Sequence, residues 1–278
     1  MKRRLAALAL LLTAAAWGAT FTLVKNIIAK MAPESFIFWR FLAAALILLA
    51  VAFARRSLSR ALLGPGVLLG VLVFGAYWAQ TRGLMTISPS RSAFLTGLYV
   101  VLVPFLQGKV KRNAWIAAVL AVVGTFALVG EGSFAVFAAQ DDTLLGDALT
   151  ILCAGFSAFH VVYAARVTRH DTATGLAAIQ VAFVAVAAAP FAAFGPAVQW
   201  SASIVSAILF TAVVTTALAF AALMWGQAHV TATEAAVILS FEPVAAAITS
   251  IVFYGEPVTA AFLLGAALIL AAMLLSQL

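Results

Sequence analysis

Ten apolar runs, each near the roughly 20 residues a helix needs to cross a bilayer, are separated by short polar gaps and set what this chain can fold into. They cover 5–24, 36–53, 62–81, 91–107, 114–130, 146–165, 173–193 and 203–223, and the last two form a hairpin over 231–273. Of 278 residues, 65% are apolar and 9% charged. A soluble domain carries about a quarter charged residues, so that class is excluded. Alternation with period two is absent, which excludes a β-barrel. The expected fold is an all-α membrane protein of ten transmembrane helices.

The closing hairpin shows the pattern best. Its first run holds the step Glu242-Pro243. The turn is Tyr254-Gly255-Glu256-Pro257, where glycine and proline end one helix and begin the next. Its second run carries Gly265-Ala266-Ala267, small residues that let another helix approach closely.

The net charge of +7 does not make a nucleic-acid-binding face, because the basic residues sit beside the spans and set orientation instead. Lys2, Arg3, Arg4, Arg55, Arg56, Arg60, Lys109, Lys111, Arg112, Arg166 and Arg169 fall on one side; Lys25, Lys30, Arg82 and Arg91 fall on the other. That asymmetry predicts both termini in the cytoplasm. Glu34, Glu131, Asp141, Asp142 and Glu256 fall on the outer side. The basic start Met1-Lys2-Arg3-Arg4 and the apolar run after it imitate a secretory signal, but no soluble domain follows and the repeat needs the segment, so it reads as the first span. Cys153, the only cysteine, lies inside a span and reads as a packing residue. It permits neither an intramolecular disulfide nor a cysteine metal site.

The chain also repeats itself. An offset of about 140 residues lays Trp17-Gly18 over Ser157-Ala158 and Arg40 over Gln180. Slightly shifted, the run from Ser88 lies over the run from Thr231, and Gly124 matches Gly265. Each half then has five spans. Five is odd, so the second half crosses the membrane in the opposite sense, as in secondary transporters that rock about a site at the midplane. The expected division is a first repeat over 1–135, a connecting loop over 136–145 and a second repeat over 146–278.

Several motifs carry a resemblance. F-E-P at 241–243, G-E-P-V-T at 255–259 and G-A-A-L-I-L-A at 265–271 resemble the last two helices of an EamA domain of the drug/metabolite transporter superfamily. A-W-G-A-T-F with Trp39-Arg40-Phe41, the run from Ser88 to Pro104, and Gly146-Asp147 with S-A-F-H-V-V-Y-A-A-R extend the resemblance over nearly the whole chain. It implies ten helices and export of small metabolites, often amino acids, across a bacterial inner membrane. One departure stands out: between Pro104 and Gly124 the chain is shorter than between Pro243 and Gly265, and it lacks the Gly-Glu step, leaving the boundary between the fourth and fifth helices open.

Polar groups within spans are few, and each carries weight. Thr13, Trp17, Thr20 and Phe21 share one helical face; so do Tyr77, Gln80, Thr81 and Leu84; so do Ser92, Thr96, Tyr99 and Val103; so do Phe156, His160 and Tyr163. Thr211, Thr215 and Thr216 cluster in the eighth span, and Ser240 precedes Glu242 in the ninth. These faces are expected to converge on a cavity for a small amphipathic solute; the competing account is ordinary helix packing. The candidate substrate-binding set is Trp17, Thr20, Phe21, Tyr77, Gln80, Thr81, Thr96, Tyr99, Phe156, His160, Tyr163, Thr215 and Ser240. His160 can carry a proton or donate to one neighbour. Glu242, the one deep carboxylate, can couple transport or hold the ninth helix. Arg40 is expected to snorkel or to pair with Glu34, with substrate binding a lesser role. Trp115, Trp200 and Tyr254 read as interfacial anchors.

The expected function is a secondary transporter that exports amino acids or similar metabolites by alternating access, with Pro104, Pro190 and Pro243 as bending points. The superfamily's small multidrug exporters use a carboxylate in the first helix; the first span here has none, which argues against a cationic-drug antiporter. Export of drugs, lipid precursors or nucleotide sugars is the alternative. An intramembrane enzyme lacks its motifs: no H-E-x-x-H or G-x-S-x-G occurs, so no catalytic residue is assigned. No cofactor, metal or nucleic acid is expected. Membrane lipids surround the chain, and a monomer suffices, since two halves complete the pore.

Overall fold

A computed structural model describes residues 2–108, 110–129 and 143–276. Lys109, Glu131, Asp141, Asp142 and the end of the first repeat lie outside them. Among the described residues the chain is helical, with eight helices long and apolar enough to span a membrane and two shorter apolar ones. The elements are α1 (Lys2–Ile28), α2 (Pro33–Ala54), α3 (Leu63–Gly83), α4 (Pro89–Gly97), α5 (Tyr99–Leu106), α6 (Arg112–Val129) and α7 (Thr143–Val167). They continue as α8 (Ala173–Phe194), α9 (Ala202–Ala212), α10 (Ala219–Gln227), α11 (Ala232–Leu239), α12 (Glu242–Thr249) and α13 (Ala260–Leu275). Three pairs are broken spans: α4 with α5, α9 with α10, and α11 with α12. The fourth span ends at Leu106 and the fifth begins at Arg112, which settles the open boundary. α7 begins at Thr143, so the last part of the expected connecting loop is helix.

Side-chain caps start several helices, as a lipid-surrounded backbone requires. Ser88 Oγ accepts from the Arg91 amide with Pro89 at the first helical position. Thr231 and Glu234 form a reciprocal capping box before α11. Thr259 caps α13. The turn before it is tight because Gly255 takes φ +68°, a left-handed conformation that glycine adopts freely. The expected proline start is not used: α13 begins three residues after Pro257.

Helices of the two halves interlock in exchanged pairs. α2 packs on α8 and α6 on α13; α3 lies against α7, and α1 against α10 and α12. Small residues allow this closeness. A Cβ on Gly124 would sit 3.0 Å from the Gly265 carbonyl oxygen, so the two matched glycines meet face to face. A Cβ on Gly18 would lie 2.2 Å from the Glu242 carbonyl oxygen, so α1 rests on the backbone of α12.

Polar ties collect at the two ends of the bundle. At the end where α1 finishes, Glu34 accepts from Arg82 Nε at 2.5 Å and Trp78 Nε1 at 3.1 Å. There too Arg91 pairs with Asp147, and the Glu256 carboxylate accepts from the hydroxyls of Ser88, Ser90 and Ser250. Lys25 Nζ caps the carbonyls of Leu84, Met85 and Ile87 at 2.7 to 3.1 Å. At the opposite end Arg3 pairs with Glu234, and Thr233 donates to Gln107 at 3.4 Å. Trp115, Trp200 and Tyr254 are exposed.

Candidate functional site

At mid-depth, side chains from both halves enclose a cavity of about 90 Å³, which is room for several waters at the roughly 10–15 Å³ each occupies by this measure. It contains ten of the residues singled out by the sequence: Trp17, Thr20, Phe21, Tyr77, Gln80, Thr81, Thr96, Tyr99, His160 and Glu242. Its walls extend toward the end where α1 finishes, reaching Val24 and Leu84. Toward the other end they stop at Leu223 and Leu239.

Phe220 of α10 is the hub of the aromatic wall. Its ring lies 5.8 Å from Trp17, 6.2 Å from Phe41, 6.2 Å from Tyr77 and 6.4 Å from His160, the last edge-on at 88°. Such tilted contacts suit ring quadrupoles. Sequence reasoning missed Phe220, although it lies four residues after Thr216 and extends the hydroxyl face of that span. Ser157 and Cys153 were missed as lining residues too; their side chains lie 3.8 Å apart.

Arg40 corrects the sequence reading. It neither snorkels nor pairs with Glu34, whose carboxylate is taken by Arg82. Arg40 is 4% exposed and lines the cavity. Its Nε donates to Thr216 Oγ1 at 2.7 Å, and its Nη2 to Thr215 Oγ1 at 2.9 Å and to the Thr215 carbonyl at 3.2 Å. The guanidinium also lies 5.0 Å from the Tyr77 ring centre, a cation–π distance. The partners come from the π-helical turn Val213–Leu218 between α9 and α10. A π turn disturbs the regular backbone ladder and frees carbonyls for side chains. The Thr215 carbonyl also accepts from Trp17 Nε1 at 2.8 Å, so one turn of the second half holds two cavity residues of the first.

Opposite breaks bring in the other polar groups. α4 gives way to α5 at Leu98, and α11 to α12 at Ser240-Phe241, so Tyr99 and Glu242 each begin a half-helix at mid-depth. The proline steps are not the breaks themselves: Pro104 and Pro190 sit inside helices, and Pro243 lies in the first turn of α12. Gln80 donates to Thr96 Oγ1 at 3.1 Å across the cavity wall. His160 Nε2 lies 2.8 Å from Gln180 Oε1 on α8 and donates to it.

Four candidates do not line the cavity. Phe156 packs with Ala76, Ala79 and Cys153, against Gly75 of α3. Tyr163 packs on the main core. Thr215 is fully buried behind Arg40. Ser240 turns away, donates to the Val237 carbonyl at 2.6 Å and borders a shallow apolar groove between α1, α11 and α13.

Among the described residues, a helical, membrane-spanning bundle with a mid-depth cavity shared by two interlocked sets of helices has the build of a small-molecule transporter. The profile of the EamA-like transporter family matches residues 4–130 and again 144–278, and the chain belongs to that family. An uncharacterized transporter of Archaeoglobus fulgidus is 31% identical over 284 residues, covering 100% of this chain and 87% of that one. A second uncharacterized transporter of the same organism is 23% identical over 251 residues, covering 87% and 86%. A solved crystal structure superposes with a TM-score of 0.69 at 19% identity, covering 97% of this chain and 95% of that one, a likeness of fold.

Proposed function

We propose that this transporter exports amino acids or similar small metabolites by alternating access, with the central cavity as its substrate site. The observation that carries the reading is the composition of that cavity. Aromatic faces of Trp17, Tyr77, Tyr99 and Phe220 surround a few hydroxyl, amide and charged groups, which suits a small solute with both apolar and polar parts.

The two repeats, 1–135 and 146–278, would rock about this site, with the end at Arg3–Glu234 closed and the cavity walls reaching toward the other end. Under the predicted orientation, that other end faces outward from a bacterial inner membrane, with both termini cytoplasmic. A single chain supplies both walls, so the working unit is a monomer. His160 and Glu242 are the groups through which a proton gradient would act. The test is efflux of individual amino acids from liposomes holding the purified protein, with and without a pH gradient. Saturable efflux lost in Trp17→Ala supports the reading; absence of flux for every amino acid overturns the substrate assignment.

A further inference from the structure

We infer that Arg40 and Glu242 form a two-point clamp for a zwitterion, the guanidinium receiving an α-carboxylate and the Glu242 carboxylate an α-ammonium. The inference rests on the cavity being the transport site and names the chemistry it selects.

Both groups line the cavity, and both are nine-tenths buried or more, at 4% and 7% exposed. The ion pairs among the described residues join Arg3 to Glu234, Arg82 to Glu34, Arg91 to Asp147 and Arg169 to Asp171; neither Arg40 nor Glu242 is in any of them. Both therefore border the same cavity, and they form no ion pair with each other. The Glu242 carboxylate accepts no hydrogen bond from a described residue.

The two groups are fixed from behind. Arg40 spends Nε on Thr216 and Nη2 on Thr215 and, at 3.5 Å, on the Tyr77 hydroxyl, while Nη1 makes no hydrogen bond to a described residue. A guanidinium held on one edge presents its other edge to a carboxylate. Glu242 is held by the break before α12 and by the backbone contact of Gly18. A buried guanidinium without a counter-charge is costly, and a buried carboxyl without a cation favours its protonated form. A solute bearing both a carboxylate and an ammonium supplies the counter-charge of Arg40 and the cation that favours the ionised form of Glu242. A simple amine or a simple acid would satisfy one group and leave the other bare. The apolar walls between them suit the side chain of a neutral amino acid.

Binding to the purified protein in nanodiscs separates these cases, because neutral forms of amines and acids cross bilayers unaided and confuse flux. The probes are L-leucine, its decarboxylated analogue isoamylamine and its deaminated analogue 4-methylpentanoate, measured by calorimetry. Leucine is expected to bind about a hundredfold more tightly than either analogue, the scale of a lost buried charge partner. Glu242→Gln should weaken leucine by a similar factor and leave 4-methylpentanoate unchanged. Because Arg40 also braces α9–α10 and its replacement can unfold the protein, the isosteric Glu242 change and the unmodified protein carry the test. Equal affinity for leucine and either analogue, or a Glu242→Gln protein with unaltered ranking, overturns the clamp. If those results accompany saturable leucine efflux that Trp17→Ala abolishes, the transport reading stands and the clamp alone fails. No binding of any probe and no efflux removes both.

Discussion

Ser88 and Thr231 stand at matching places in the two halves, each capping a half-helix that ends at mid-depth. Ser88 Oγ accepts from the Arg91 amide, and Thr231 Oγ1 from the Glu234 amide at 3.2 Å. Their helices break at Leu98 and at Ser240-Phe241. The caps lie at opposite ends of the bundle, so the two half-helices point toward each other's level from opposite sides. This is the arrangement in which broken helices of a transporter hold a midplane site.

Removing either cap should cost about 1 kcal/mol of stability. Ser88→Ala is expected to cost more than Thr231→Ala, because the Ser88 hydroxyl also donates to Glu256. Thermal melting of both variants in detergent checks the order; equal melting points would show that the Glu256 tie is not coupled to the cap.

Gly18 sets the contact between α1 and α12. Gly18→Ala places a methyl group 2.2 Å from the Glu242 carbonyl oxygen, against backbone that cannot rotate aside. Overpacking of this kind costs about 1–3 kcal/mol. The expected result is a lower melting point together with impaired transport, since Glu242 must move with the backbone. Transport at the unmodified level would mean that the register of Glu242 is unimportant.

Arg91 and Asp147 join α4 to α7, and Asp147 is 2% exposed. Arg91→Met leaves that carboxylate without its guanidinium, at a cost on the order of 3 kcal/mol. The double change Arg91→Met with Asp147→Leu should recover much of the loss. Melting curves of the single and double variants measure this, and a double variant no better than the single would refute the pairing energy.

Trp17 has two roles that one substitution separates. Trp17→Phe keeps an aromatic face against Phe220 but removes the hydrogen bond to the Thr215 carbonyl, a loss of about 1 kcal/mol. Transport should survive with a shifted half-saturation, whereas Trp17→Ala should abolish it. Efflux rates across a concentration series distinguish the two.

Much of this was legible in the sequence because bilayer thickness and backbone hydrogen bonding leave a chain of this composition few options. Helical periodicity put Trp17, Thr20 and Phe21 on one face, and that face does line the cavity. Gly124 and Gly265, matched by repeat alone, touch. Arg40 was misread because its neighbours in sequence, Glu34 and the start of α2, suggest the membrane surface. Its true partners, Thr215 and Thr216, lie in the other half and are offered by a π turn that leaves no mark in hydropathy. Ser240 was misplaced for a related reason. Continuing the periodicity of one helix through 231–254 ignores the break at Ser240-Phe241, and the break turns Ser240 out of the cavity while Glu242 stays in.

Under the proposed function the transported solute sits in the cavity around Trp17 and Arg40, and Cys153 offers a direct probe of that cavity. It is the only cysteine of the chain, is 2% exposed, and lines that cavity. The measurement is the rate at which a small methanethiosulfonate labels Cys153 in the reconstituted protein, with increasing amounts of a solute shown by efflux to be transported. Slow labelling is expected, slowed further by the solute, with half-protection near the concentration that half-saturates efflux. A solute that is exported and yet leaves the labelling rate of Cys153 unchanged would contradict it.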